Sequence, residues 1–474
     1  MPKVKILLTF SLFWISAFSQ NEDSIFIKKI FNQALTEAEC YQNLDYLCNS
    51  IGARLSGSTN ATKAVDYTKS VLEKSGYDKV YLQKVNVPHW VRGEKETASV
   101  TYFVENSLES DKKVLDKNQM IKIKHKKLNI CALGGSVATT ESGIAAKIIE
   151  VSSFEQLDSL GKNGVAGKIV FYNKPMDATK INTFEAYGPA VKFRSRGAIA
   201  AAKYGAVAVV VRSVTTAIDN YPHTGAMRYV DTIPKIPACA ISTIDANWLS
   251  ENLKQNPNTE LLLTMSCQTL PDAESANVIG ELKGRKNTEY IIVGGHLDSW
   301  DLAQGAHDDG AGVVQSIEAL RILKQLGYKP KHTLRTVLFM NEENGLKGGE
   351  KYAADAKINN EKHLVAIETD AGGFAPRGFT SECNNATKKL VATWANLFAP
   401  YNINDFEKNG GGADIYALKE QGTALFELMP ESQRYFDYHH SALDTFDKIN
   451  KRELELGAAS IAAFVYLFDK YIDN

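Results

Sequence analysis

Asp308 and Asp309 stand side by side in a glycine-rich segment, GAHDDGAG, residues 305–312. Aspartate is a good helix N-cap, and Asp309 fits that plain role. Two carboxylates in one tight loop also repel each other, and a bound cation is a common way to offset that cost. Twelve residues before Asp308, His296 follows the apolar run Tyr290–Gly295, with Asp298 two positions further on. A ligating imidazole usually donates its second N–H to a carboxylate that fixes its tautomer, which gives Asp298 a purpose. TLRTVLFM delivers Asn341, Glu342 and Glu343; LVAIET is followed by Asp370; DYHHSALDT, residues 437–445, holds His439 and His440. Each segment alone has a bland explanation: a structural histidine, acids opening a helix, a chance pair of histidines.

Together they have the composition of a two-ion zinc site. Zinc takes imidazole nitrogen and carboxylate oxygen, with about four ligands per ion. Two ions that each hold one histidine and one acid, and share an aspartate and a water, require two histidines and three carboxylates. His296, His440, Asp308, Glu343 and Asp370 supply that set. Three carboxylates and a shared hydroxide also balance the charge of two divalent ions. Glu342 is left unbound and free to act as a general base. An α/β binding protein holding calcium at acidic strand ends fits less well, because two histidines suit zinc.

Such a site needs rigid platforms, and residues 271–474 alternate strand and helix. EYIIVGG, a helix from Ala311 to Leu326, TLRTVLFM, a helix near Gly349–Ala356, LVAIET, a long helix from Asn385 to Phe398 and GTALFEL follow in turn. Apolar β-runs separated by amphipathic helices predict an α/β fold whose mostly parallel, mixed sheet is sandwiched by helices. Ligands of such sheets sit beyond the carboxyl ends of the strands, where His296, Glu342, Glu343 and Asp370 fall. Residues 125–270 have another texture: short β-runs such as GIAAKIIEV, GKIVFYN and AVAVVVRSV, with one clear helix at FRSRGAIAAAKYG. They predict an inserted β-rich module, opened by the basic run Lys122–Asn129 as a solvated loop or edge strand. Residues 20–124, with a helix from Ala61 to Lys74 after the loop NSIGARLSGST, form the N-terminal part of the main domain.

Residues 1–19 read as a cleaved signal peptide: Lys3 and Lys5, an apolar run Ile6–Phe18, then small Ala17 and Ser19 before a cut at Gln20. A secreted or periplasmic protein is expected, and no later run is long and apolar enough to span a bilayer. Lys plus Arg (54) nearly equal Asp plus Glu (55), which removes the broad basic field that nucleic acid or an anionic membrane would favour. The six cysteines lack the close pairs of a zinc ribbon or redox site and are expected mostly as buried free thiols.

GGHLDSWD, GAHDDGAG, NEENG, ETDAGG and HHSALDT occur in the order and spacing of the M28 zinc peptidases. The chain resembles that family, most closely its carboxypeptidase branch, over nearly all of its length after the leader. The resemblance implies a two-zinc exopeptidase of zinc-exopeptidase fold in which Asp308 bridges the ions. His296 and Asp370 would hold one zinc, Glu343 and His440 the other, with Glu342 as base and Asp298 orienting His296. Of the two adjacent histidines it selects His440. VAGKIVFYN and AAKYGAVAVVVRSV resemble a protease-associated domain, which would shape access to the site or support a homodimer. Dipeptides or the ends of short peptides are the implied substrates, cleaved in carboxypeptidase or dipeptidase fashion, with an aminopeptidase as alternative. NGGGADI, residues 409–415, is expected to line the substrate with Asp414 towards a free amino group. The Tyr438 hydroxyl is a candidate for assisting the oxyanion, weighed against a packed aromatic. Non-catalytic ectodomains and single-zinc glutaminyl cyclases of the same family are disfavoured by the complete ligand set.

Overall fold

The computed structural model describes the backbone of residues 4–105 and 121–473, with side chains from Asn21 onward except at 103–105, 121–122 and 287. The expected leader, residues 1–19, lies outside the residues whose side chains are described. No helix among the described residues is long and apolar enough to cross a membrane.

Seven strands form the main sheet in the order Lys79–Val91, Gln268–Leu282, His332–Phe339, Lys286–His296, Lys362–Glu368, Ala424–Pro430, Pro376–Glu382. The middle four, from His332–Phe339 to Ala424–Pro430, pair in parallel. Antiparallel strands close both edges. Alternate residues of the central strand enter different cores: Ile291 and Val293 meet helices Ala311–Gln325 and Lys451–Tyr471, while Ile292 meets Tyr352, Ala353 and Ala356 of helix Lys347–Ile358. Burial on both faces is why these strands are apolar without alternation. The helix ending at Glu37 packs Ile27, Ile30, Phe31 and Ala34 into the larger core, and its buried Asp23 accepts a hydrogen bond from Tyr466 Oη at 2.7 Å.

The helix expected over 385–398 is two pieces, Asn385–Ala392 and Ala395–Phe398. Thr393 Oγ1 bonds back to the Leu390 carbonyl at 2.6 Å, and Trp394 turns in edge-on against Phe464 and Phe468. A hydroxyl competing for a helix carbonyl together with a buried ring accounts for the break.

The second sheet has eight strands, in the order Ile121–Leu128, Thr97–Glu105, Glu260–Thr264, Ile144–Val151, Ile169–Tyr172, Ala208–Arg212, Ala238–Ile241, Ile130–Ala132. The basic run forms most of its first edge strand. Four neighbours from Ile144–Val151 to Ala238–Ile241 run parallel. Parallel neighbours need crossovers: helix Phe154–Val165 and the expected helix, observed as Phe184–Ala202, supply two of them, and a third helix, Thr243–Gln255, leads on to the antiparallel strand Glu260–Thr264. All six cysteines are free thiols, five of them buried.

Candidate metal centre

The parallel strands end level with one another, so the residues that leave them meet. His296 is the last residue of its strand and pairs with Phe339 of the next. Beyond Phe339, Asn341 turns the chain at φ 77°, a conformation asparagine tolerates, and Glu342 and Glu343 follow. Asp370 comes two residues after the strand Lys362–Glu368. Asp308 lies in the tight turn Ala306–Gly310 ahead of helix Ala311–Gln325, and His440 follows the short helix Tyr435–Tyr438.

Asp308 stands between two pairs of side chains. His296 Nε2 is 3.1 Å from Asp308 Oδ1 and 3.3 Å from Asp370 Oδ1. His440 Nε2 is 3.2 Å from Asp308 Oδ2 and 3.1 Å from Glu343 Oε2. Two donors bound to one tetrahedral zinc at about 2.0 Å each lie about 3.3 Å apart, so these spacings suit ligands around an ion. Asp308 Oδ2 and Asp370 Oδ1 are buried and accept no hydrogen bond, despite the imidazole nitrogens beside them. Orphaned buried carboxylate oxygens at ligand spacing fit a cation in each half of the site. His439 Nε2 is further away, 3.8 Å from Asp308 Oδ2, with its ring stacked on that of His440.

Burial pushes the Glu343 carboxyl well above the usual range, raises that of Asp370 and lifts Glu342 to about 8. Burial acts upward on Asp308 too, but the imidazoles beside it outweigh that and hold it well below the usual range. Four carboxylates buried together need compensating positive charge, and cations that supply it displace protons as they bind.

Four of the five candidate ligands, all but Asp370, are held from behind. His296 Nδ1 donates to the backbone carbonyl of Asp298 at 3.0 Å, whereas the Asp298 carboxylate is 3.9 Å away. That carboxylate is engaged elsewhere, accepting the N–H groups of Asn341 at 2.7 Å and Glu342 at 3.1 Å. Asp309 caps the helix through Gly312 N–H at 2.8 Å and also takes the His296 N–H at 3.0 Å. A Cβ at Gly295 or Gly312 would fall 2.3 Å from the Asp309 carboxylate, so both positions require glycine. Asp444 accepts the N–H groups of His307 at 2.7 Å and Asp308 at 3.1 Å, and Trp300 N–H meets Glu343 Oε1 at 3.2 Å. Arg54, fully buried, donates to the carbonyls of Leu297, Gln304 and Gly305 and so braces the loop between His296 and Asp308.

His440 is held by the unit built on the second sheet. Thr224 N–H donates to the His440 carbonyl at 2.8 Å, and His440 Nδ1 donates to the Thr224 carbonyl at 3.3 Å. His223 Nδ1 donates to the His439 carbonyl at 2.6 Å. These contacts secure the left-handed conformation of His440, φ 61°, which a side chain rarely adopts unaided.

The family model of peptidase family M28 matches residues 277–465, the stretch that holds all five candidate ligands. Carboxypeptidase Q of Homo sapiens is 35% identical over 444 residues, covering 93% of this chain and 88% of that protein. The chain belongs to peptidase family M28. Carboxypeptidase Q of Xenopus laevis is 37% identical over 406 residues, covering 85% of the M28 chain described here and 80% of its relative. The crystal structure of a peptidase M28 precursor from Shewanella amazonensis SB2B matches with TM-score 0.86 and 32% identity, over 95% of this chain and 97% of the other. BSAP, a zinc aminopeptidase from Bacillus subtilis, shares the fold with TM-score 0.62 at 20% identity, over 90% and 93% of the two chains.

In this M28 peptidase a cavity of about 880 Å³ opens over the candidate ligand set, with Glu342, Asp370, Tyr435, His440, Arg228 and Glu427 among its lining residues. Gly410–Ala413 form part of its wall, but Asp414 is buried behind them and is not a lining residue. The loop folds over Glu368, whose carboxylate fills the space beneath Gly412 and accepts the Ile415 N–H at 3.0 Å. Tyr438 also stays out of the cavity wall: its ring stacks flat beside His307, which in turn stacks on Phe374. Burial lifts Glu427 to about 8. Sequence spacing does not expose Asp444, Arg54, His223, Thr224 or Glu427 as neighbours of the site. For Glu427 a signal exists, since it is the one carboxylate in the apolar run ALFELMP.

Proposed function

We propose that this chain is an exported two-zinc exopeptidase acting on dipeptides and the ends of short peptides, in the manner of a carboxypeptidase or dipeptidase. The observation that carries the proposal is the placement of Asp308, with one oxygen facing His296 and the other facing His440. His296, Asp370 and Asp308 Oδ1 would hold one ion; His440, Glu343 and Asp308 Oδ2 would hold the other. Zinc bound there supplies polarisation of the scissile carbonyl and a water that is nucleophilic near neutral pH. The remaining work falls to the chain. Glu342 takes the proton of the attacking water as its oxygen bonds to the carbonyl carbon, then passes that proton to the leaving nitrogen as the C–N bond breaks. Asp298 aims Glu342 by holding its main chain.

Similarity to proteins named carboxypeptidase Q supports the carboxypeptidase direction. The second sheet supports reading residues 125–270 as the bulk of a protease-associated module that walls the chamber, although strand Thr97–Glu105 and the start of Ile121–Leu128, before residue 125, belong to the same sheet; sedimentation of the purified protein reads whether the chain also forms a homodimer. Export predicts a mature chain that starts at Gln20, which N-terminal sequencing of secreted or periplasmic material checks.

The deciding experiment is metal analysis of the purified mature chain, paired with hydrolysis of a dipeptide panel before and after chelation. Two zinc ions per chain and chelator-sensitive cleavage are expected. Hydrolysis that prefers C-blocked over N-blocked peptides would turn the direction to aminopeptidase. Protein with neither metal nor activity would return it to a non-catalytic member of the family.

A further inference from the structure

Three carboxyl or guanidinium side chains line the cavity and have no hydrogen bond or ion pair of their own among the described residues: Glu342, assigned above as the base, Glu427 and Arg228. Other lining charges are engaged. Asp308, Glu343, Asp370 and His440 form the ligand set, and Glu350 is paired with Lys347 at 3.0 Å. Arg194, almost fully buried, gives two nitrogens to Tyr187 Oη and the Thr224 carbonyl.

Glu427 and Arg228 stand on opposite sides of the ligand set. Glu427 pairs in the parallel sheet with Glu368, two residues before Asp370, which puts it on the His296–Asp370 side. Arg228 donates its backbone N–H to the Ser195 carbonyl at 3.1 Å, next to Arg194, whose Nη1 lies 3.2 Å from His440 Nδ1. Arg228 is therefore on the His440–Glu343 side. Arg194 adds a fixed, buried positive charge at that same end, and its Nε is buried without a partner. The chamber thus offers a carboxyl group beyond one half of the ligand set and fixed positive charge beyond the other.

We propose that Glu427 and Arg228 read the two ends of the substrate: Glu427 receives the α-ammonium group and Arg228 the α-carboxylate. The scissile bond of a dipeptide then lies across the ligand set between them. This rests on the peptidase reading above and names the residues that would make free termini a requirement. Each added residue lengthens an extended peptide by about 3.5 Å, so a longer peptide gives up one contact when its bond is in place.

The test uses the zinc-loaded mature enzyme with one neutral dipeptide, its N-acetyl form and its C-amide form. Charge-assisted hydrogen bonds of this kind predict that Glu427→Gln raises KM for the free dipeptide about 10- to 100-fold, with the loss carried by KM rather than kcat. Its preference for the free over the N-acetyl peptide collapses, while its preference over the C-amide persists. Arg228→Gln gives the mirror image. Equal losses on free and blocked peptides, or loss of zinc from either variant, would overturn the assignment. Should a variant fail to fold, the wild-type enzyme still decides, because indifference to both blocking groups sinks the proposal. A wild-type protein without chelator-sensitive hydrolysis would instead sink the peptidase reading beneath it.

Discussion

The carboxylate of Asp298 grips the main chain of Glu342, with Oδ1 accepting the Glu342 N–H at 3.1 Å and the neighbouring Asn341 N–H at 2.7 Å. Asp298→Ala should therefore let the turn drift and lower kcat by about 10- to 100-fold while zinc content holds. Asp298→Asn keeps an acceptor oxygen and should recover most of the loss. Steady-state kinetics beside metal analysis checks this; an alanine variant of full kcat would dismiss the grip as irrelevant.

Glu342 lines the cavity beside the ligand set without belonging to either half of it. Glu342→Gln preserves shape and removes the proton acceptor, so kcat should fall by about 100- to 10,000-fold with both metals retained. A wild-type rate in this variant would take the base role away from Glu342.

The brace on His440 makes a prediction far from the peptidase sheet. A Cβ at Gly225 would fall 2.6 Å from His440 Nδ1 and 2.4 Å from Arg194 Cζ, and its φ of 128° already disfavours a side chain. Gly225→Ala, and more mildly His223→Ala, should weaken the half of the site that contains His440 by about 10- to 100-fold in zinc affinity. Titration against a competing chelator should show one ion leaving ahead of the other. Unchanged affinity for both ions in both variants would refute the brace.

His363 offers a pH test away from the metal centre. Burial, with Arg335 nearby, holds its folded pKa at about 3 against an ordinary value of 6.5. Its Nε2 lies within hydrogen-bond distance of Tyr352 Oη, at 2.8 Å, and burial favours the neutral ring. A depressed pKa of this kind contributes stability that is complete above pH 6.5 and drains as pH falls towards 3, by about 1.4 kcal/mol per pH unit. His363→Gln keeps a hydrogen-bonding group for Tyr352 and does not titrate, so it should gain about 2 kcal/mol on the wild type between pH 7 and pH 5. Urea unfolding at the two pH values measures this, and parallel losses would exclude His363 as the source.

Much of this architecture was legible in residue order. Buried parallel strands announce themselves as apolar runs, and their carboxyl ends point to His296, Glu342, Glu343 and Asp370 directly. Asp309 was legible only in part: its capping bond to Gly312 follows from local rules, but its second bond, to the His296 N–H, depends on how strand and turn pack. Contacts across more than two hundred residues, such as Thr224 with His440, carry no periodicity and stay silent in the sequence. Asp414 shows the limit from the other side, since a carboxylate in a glycine-rich loop looks solvent-facing until Glu368 is found beneath that loop.

The clasp between Thr224 and His440 ties the shape of the chamber to the quality of the metal site. Ligand distances at zinc tolerate deviations of only about 0.2 Å. A mutation that tilts the second-sheet unit would therefore move His440 Nε2 out of tolerance before it visibly reshaped the wall carrying Arg228. Chamber geometry in this chain thus inherits the stringency of coordination chemistry, and new substrate ranges are open to it through side-chain exchange on a fixed frame rather than through re-docking of the frame itself.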